Sequence, residues 1–195
     1  MTTIIGLSGS LRAASFNTGL LRAATGAAPA GSELKIESLR GVPVYDGEEE
    51  AASGIPARVK EIKDAVAAAD GLLLASPEYN NAMPGVLKNA IDWMTRPTAD
   101  VKRVFGGKPV ALIGVTPGGW GTLQAQSSWL PVLRHLGCLF WSEGHMAISK
   151  AGDSFEADGT LKDDKIRTGA AICHRRPHRH SIRFPRASCL HAVRP

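Results

Sequence analysis

The sequence predicts an α/β fold, a doubly wound parallel sheet of five strands with helices on both faces. Three observations carry this. Short apolar runs alternate with helix-like segments five times along 195 residues, which is the pattern of a parallel sheet whose crossovers are helices. Two of the runs, Leu72-Leu73-Leu74-Ala75 and Val110-Ala111-Leu112-Ile113-Gly114-Val115, are apolar without alternation, as strands covered on both faces must be. The length and the 44% hydrophobic content suit one domain with a full core.

In chain order, Ile4–Leu7 reads as the first strand and Phe16–Ala28 as the first helix, stopped by Pro29. Leu34–Ser38 is a half-alternating second strand. Residues 41–47 and the acidic run Glu48–Glu50 read as a long loop. Pro56 suits the first position of a helix over 56–69, with Ile62 and Val66 on one face. After the strand 72–75 comes the loop 76–84 and a helix over 85–94. Residues 96–108 read as a basic connection into the strand 110–115. Residues 116–121 form a glycine-rich loop before a helix over 122–136 that contains Pro131. Cys138–Trp141 and His145–Ser149 together make a fifth strand region, and 163–167 the first turn of a last helix with acids at its positive end.

The stretch Gly9-Ser10-Leu11-Arg12-Ala13-Ala14-Ser15-Phe16-Asn17-Thr18 joins the first strand to the first helix. The leading N–H groups of a helix have no internal acceptor and lie at the positive end of its dipole. Ser10, Ser15, Asn17 and Thr18 add neutral donors, and Arg12 adds a charged fork suited to phosphate. The stretch therefore reads as a phosphate cradle, or else as an ordinary turn with Ser15 as N-cap. Neither G-x-x-x-x-G-K-[ST] nor G-x-G-x-x-G follows this strand, which argues against a P-loop NTPase or a dinucleotide fingerprint. In a doubly wound sheet ligands lie beyond the carboxyl ends of the strands. The loops 8–18, 76–84 and 116–121 follow strands one, three and four, so all three are expected to open on that one edge.

The net charge of +5 is misleading. Residues 168–195 hold six of the 23 basic residues and none of the 18 acidic ones, leaving 17 against 18 in the rest. A nucleic-acid or membrane partner is therefore not expected of the body. No apolar run is long enough to span a bilayer, and the chain opens on a strand, so a cytoplasmic protein is expected. Three irregularly spaced cysteines agree with a reducing compartment. The body holds only His135 and His145, each read as structural, and no Ser-His-Asp or metal set is apparent, so no metal is expected.

Four ordered motifs resemble the NAD(P)H-dependent FMN reductase family of the flavodoxin-like fold, in the branch of bacterial quinone and chromate reductases. They are Gly9-Ser10-Leu11-Arg12-x-x-Ser15-x-Asn17, Pro77-Glu78-Tyr79-Asn80, Pro84-Gly85-x-Leu87-Lys88-Asn89-Ala90-Ile91-Asp92-Trp93, and Gly107-Lys108-Pro109-Val110 before a glycine-rich loop. The resemblance covers about residues 3–167 and implies an FMN-dependent oxidoreductase. Electrons would pass from NADPH or NADH to a small acceptor such as a quinone, a flavin or chromate. It implies that Ser10, Arg12, Ser15, Asn17 and Thr18 hold the FMN phosphate, with Phe16 in the same cofactor set. It places Pro77, Glu78, Tyr79 and Asn80 along the flavin ring, and Thr116, Gly118 and Gly119 beneath it or at its pyrimidine side, where glycine allows close approach. Glu78 reads equally as a ring ligand or an exposed turn acid, and Tyr79 as a ring-side or dimer-contact aromatic or a surface turn residue.

The helix 85–94 with Trp93 resembles the family's dimer-forming element, which implies a homodimer or homotetramer; simple packing on the sheet is its alternative. Lys102 and Arg103 are candidates to attract an anionic co-substrate. Two other functions stand beside the reductase: a flavodoxin-type electron carrier, and a remnant inactivated by its altered end. After Arg167 the family's leucine-patterned helix gives way to a basic, irregular segment with Gly169, Pro177 and Pro185. The last helix is thus in doubt, and residues 168–195 read as a shifted reading frame, with a nucleic-acid tail or a zinc site as rivals.

Overall fold

The apolar runs over 4–7, 72–75 and 110–115 are buried throughout, with side chains packed on both faces. The computed structural model describes residues 1–163, 165 and 166. Strands β1 (Thr2–Ser8), β2 (Ser32–Glu37), β3 (Gly71–Ala75), β4 (Pro109–Val115) and β5 (Leu139–Phe140) form a sheet in the order β2-β1-β3-β4-β5, with β6 (Met146–Ile148) also beside β4. Every pairing is parallel. β5 pairs the start of β4 and β6 its end, so the expected fifth strand is one position divided by the short turn Ser142–Gly144. The doubly wound, flavodoxin-like architecture read from the sequence is the one observed.

Two cores sandwich the sheet. On one face, Ile5, Leu7, Leu72, Leu74 and Leu112 meet α3 (Ala57–Ala68), α4 (Gly85–Met94), α5 (Val101–Phe105) and α6 (Leu123–His135). On the other, Ile4, Leu73 and Ile113 meet α1 (Phe16–Gly26) and the buried Phe155 and Leu161. Alternate residues of β1 and β3 thus serve opposite cores, which explains their unbroken apolar sequences.

Several boundaries differ from the sequence reading. The acidic run is a helix, α2 (Gly47–Ser53), not a loop. Asp46 Oδ1 accepts from the Glu48 N–H at 2.8 Å, three glutamates sit at the positive end of the helix, and Gly54 at φ 73° ends it. The helix buries no residue, so no apolar period announces it; its cap and dipole hold it together with Glu50, whose carboxylate accepts from Arg96 Nε at 2.7 Å and from the Tyr45 hydroxyl at 2.9 Å. Pro56 precedes α3 in extended conformation and is not its first helical residue. The basic connection contains α5, because Val104 and Phe105 are fully buried against the first core.

Lys108, from the Gly-Lys-Pro motif, is buried, and its Nζ donates to the carbonyls of Val66 at 2.8 Å and Ala69 at 2.5 Å. It satisfies the open carboxyl end of α3. Burial lowers its pKa below the ordinary lysine value. Lys165 and Ile166 are helical, and Asp163 Oδ1 accepts from the Lys165 N–H at 2.8 Å, as the sequence reading of a helix start there requires. The readings of residues 168–195, frame shift, nucleic-acid tail and zinc site alike, lie outside the described residues. Among the described residues no helix is long and apolar enough to cross a membrane.

Candidate functional site

The strand order reverses between β1 and β3: β2 lies on one side of β1, β3 on the other. Such a switch point leaves a crevice at the carboxyl ends of the strands. A groove opens there. Its walls come from Ser10, Arg12 and Phe16 after β1, Pro77, Glu78 and Tyr79 after β3, and Thr116 and Pro117 after β4, with Ser15, Asn17 and Val115 at its floor. The three loops named from the sequence do converge.

The first loop is braced from within. Ser15 is the N-cap of α1, its Oγ accepting from the Thr18 N–H at 3.2 Å. This agrees with the capping reading and leaves the N–H groups of Phe16 and Asn17 without an intrahelical acceptor. Thr18 Oγ1 donates to Ser8 Oγ at 3.0 Å, and the Ser10 N–H donates to the same oxygen at 3.3 Å. Thr18 therefore stands behind the loop and does not line the groove. Ser8, at the start of the loop 8–18 and not among the residues singled out from the sequence, is the post around which the loop turns. From outside, Arg40 donates to the Leu11 carbonyl at 2.6 Å.

Asn17 is buried, and both its amide atoms are engaged. Its Nδ2 donates to the Val115 carbonyl at 2.9 Å and its Oδ1 accepts from the Val115 N–H at 3.1 Å. Its backbone N–H, in the first turn of α1, is left for a ligand while the side chain is engaged with β4. Arg12 is exposed, stacked over the Phe16 ring at 5.9 Å, and no carboxylate pairs with it among the described residues.

The second loop is held to α6. Glu78 Oε2 accepts from the Ala125 N–H at 3.0 Å, in the first turn of that helix. Glu78 thus caps α6 from another segment, a role that its local sequence does not announce, while it also stands in the groove wall. Tyr79 and Ala82 exchange both backbone hydrogen bonds at 3.1 Å around Asn80 and Asn81, both at positive φ. This is a tight primed turn, for which asparagine is well suited, and Asn80 lies in it outside the groove walls. Trp129 Nε1 donates to Ser76 Oγ at 2.9 Å and fixes the start of the loop. Glycine is required at Gly9 because a Cβ there would press on Pro77 and Pro84, and at Gly114 because it would strike Ser76 and Thr122.

The third loop brings Thr116 to the groove, its N–H donating to the Ile148 carbonyl at 3.0 Å. Gly118 and Gly119 lie exposed beyond the walls, with no side chain or backbone crowding a Cβ at either position. Arg103, a candidate from the sequence to attract an anionic co-substrate, stands away from this groove. It belongs to α5, before β4 and so at the opposite edge of the sheet, where it pairs with Asp64 at 3.1 Å and Asp100 at 3.2 Å.

Helix N–H groups, two serine hydroxyls and an unpaired guanidinium suit a phosphate, and the groove beside Pro77, Tyr79 and Thr116 suits a flat ring. This donor set fits a flavin mononucleotide. Residues 2–153 match the family model for NADPH-dependent FMN reductase. The chain belongs to that family. As an FMN reductase it is 41% identical over 164 residues to an NAD(P)H-dependent FMN reductase of Pseudomonas aeruginosa, covering 84% of this chain and 86% of that one. It is 38% identical over 159 residues to a 2-hydroxy-1,4-benzoquinone reductase of a Burkholderia species, covering 82% and 85%. The solved structure of the flavoenzyme NAD(P)H:(acceptor) oxidoreductase FerB from Paracoccus denitrificans aligns with a TM-score of 0.76 at 31% identity, over 89% of this chain and 96% of that one. The chain is thus an FMN-dependent NAD(P)H oxidoreductase, and the electron-carrier reading gives way to it.

Proposed function

We propose that this reductase passes electrons from NAD(P)H to a quinone, as a cytoplasmic homodimer or homotetramer, with its FMN in the groove between β1 and β3. The observation that carries the placement is the convergence of the Arg12, Pro77–Tyr79 and Thr116 loops on one crevice. The acceptor is suggested by relatives whose own names specify quinone reduction.

When bound, FMN supplies hydride acceptance from a nicotinamide and electron delivery to the acceptor. The side chains here bind and orient. The N–H groups of Phe16 and Asn17, the hydroxyls of Ser10 and Ser15 and the Arg12 guanidinium neutralise the phosphate. Pro77, Tyr79 and Thr116 shape the ring side and keep water from it. Asn80, Gly118 and Gly119 reach the ligand, on this reading, only from the rim, and Thr18 acts through Ser8. No side chain is required to move a proton.

Visible absorbance of the purified protein tests this directly. A yellow protein that bleaches anaerobically with NADPH and regains colour on adding 1,4-benzoquinone is expected. A protein that takes up no added FMN, or whose flavin does not bleach, would overturn the proposal and favour an inactive remnant.

A further inference from the structure

Beyond the last family-matched residue, 153, the chain makes a turn that stands on the phosphate loop. Phe155 and Leu161 pair as an isolated antiparallel bridge, both buried. The Glu156 N–H donates to the Thr160 carbonyl at 2.9 Å, and the Gly159 N–H to the Glu156 carbonyl at 3.0 Å. Asp158 Oδ1 accepts from the Thr160 N–H at 2.8 Å. Gly159, at φ 87°, is buried at the tip.

That tip meets the first turn of α1. A Cβ on Gly159 would stand 3.1 Å from the Ser15 carbonyl oxygen and 3.3 Å from the Ala14 carbonyl carbon. A Cβ on Gly19 would overlap the Gly159 carbonyl oxygen outright. Gly19 closes the helix's first turn, its N–H donating to the Ser15 carbonyl at 2.8 Å. The Phe155 ring lies 5.6 Å from that of Phe16, the first residue of α1. Two glycines thus allow backbone-to-backbone contact at the very turn whose N–H groups face the groove.

We propose that the Phe155–Leu161 turn is a positioning element of the flavin site. It fixes the first turn of α1 from behind, so that FMN affinity depends on a segment that lies outside the groove and past residue 153, where the match to the family model ends. This rests on the reading of residues 9–18 as the phosphate loop. A helix end acts on an anion only over its first turn, so a small displacement of that turn weakens the contact sharply.

The test is the FMN dissociation constant of the deflavinated full-length protein, read by quenching of flavin fluorescence. Gly19→Ala is expected to weaken binding at least about tenfold, while Gly26→Ala in the same helix stays within about twofold, since nothing lies within 4 Å of a Cβ there. Hydrogen exchange of residues 9–18 in the flavin-free protein should quicken in Gly19→Ala and not in Gly26→Ala. Phe155→Leu, which keeps bulk but removes the ring contact, carries the same expectation if Gly19→Ala fails to fold. Folded Gly19→Ala and Phe155→Leu proteins with unchanged FMN affinity would overturn the proposal. Arg12→Ala separates the two ideas. If it weakens binding while the others do not, the positioning role alone fails; if it too leaves affinity unchanged, the phosphate-loop reading fails with it.

Discussion

Asn17 is where donor count and donor direction part. Its sequence context, two residues after Ser15 at a helix start, marks it as a phosphate ligand, yet its amide closes on the main chain of Val115 at 2.9 and 3.1 Å. That pair ties the phosphate loop to the end of β4, across 98 positions of sequence. Asn17→Ala would leave a buried N–H and a buried carbonyl without partners, each a cost larger than the net worth of the bond. We expect the flavin-free protein to lose about 1–3 kcal/mol of stability in urea. A residue that served only as a ligand would leave the flavin-free protein unchanged, and equal urea midpoints would therefore refute the bracing role. Glu78 makes the same point: the carboxylate is plain in the sequence, but the helix end that it caps belongs to a segment 47 residues on.

At the scale of elements, α3 and α5 are joined by charge. Lys63 is almost buried, with Nζ 2.8 Å from both the Asp100 carboxylate and the Arg96 carbonyl, and Arg103 joins Asp100 to Asp64. Hydrogen bonds from Arg103 and then Lys63 hold the Asp100 carboxyl at about 2, below its ordinary 3.8. A carboxylate with a depressed native pKa contributes stability that is present above the unfolded value and lost as pH falls through the native one. Stability should therefore decline between pH 3.8 and about 2 in the natural protein. In Asp100→Asn the decline over that window should be shallower, from a lower plateau at neutral pH. Identical acid-unfolding curves would show that the network contributes nothing. The short α5 and α2 escaped the sequence reading for related reasons, one being a single turn fixed by two buried side chains and the other a helix without buried residues, fixed by its cap and by the Glu50–Arg96 pair.

For the whole molecule, the question is assembly. The apolar stripe of α4, which the resemblance offered as a dimer element, is turned inward: Leu87, Ala90, Ile91 and Met94 join the core, and Trp93 is 1% exposed with its Nε1 on the Pro43 carbonyl. Exposed apolar side chains lie instead along α6 and β5, where Leu123, Leu130 and Phe140 line one groove. Contiguous apolar surface of this kind favours association. On the proposal of a homo-oligomer, light scattering at micromolar concentration should return two or four chain masses, and Leu130→Glu should reduce it. A single chain mass for the natural protein would remove the proposal.

The sequence by itself determined the strand and helix alternation, the positions of the three loops and the sheet edge on which they meet. These follow from local periodicity and from one rule of topology, and neither needs a partner distant in sequence. Only the tertiary structure decided what each polar side chain does. Ser8, Asn17, Glu78 and Arg103 find their partners on other segments or around a turn, and one face of a residue looks like another until the chain has folded. The Gly19–Gly159 contact is the extreme case: two glycines 140 positions apart are legible as a junction only where their backbones meet.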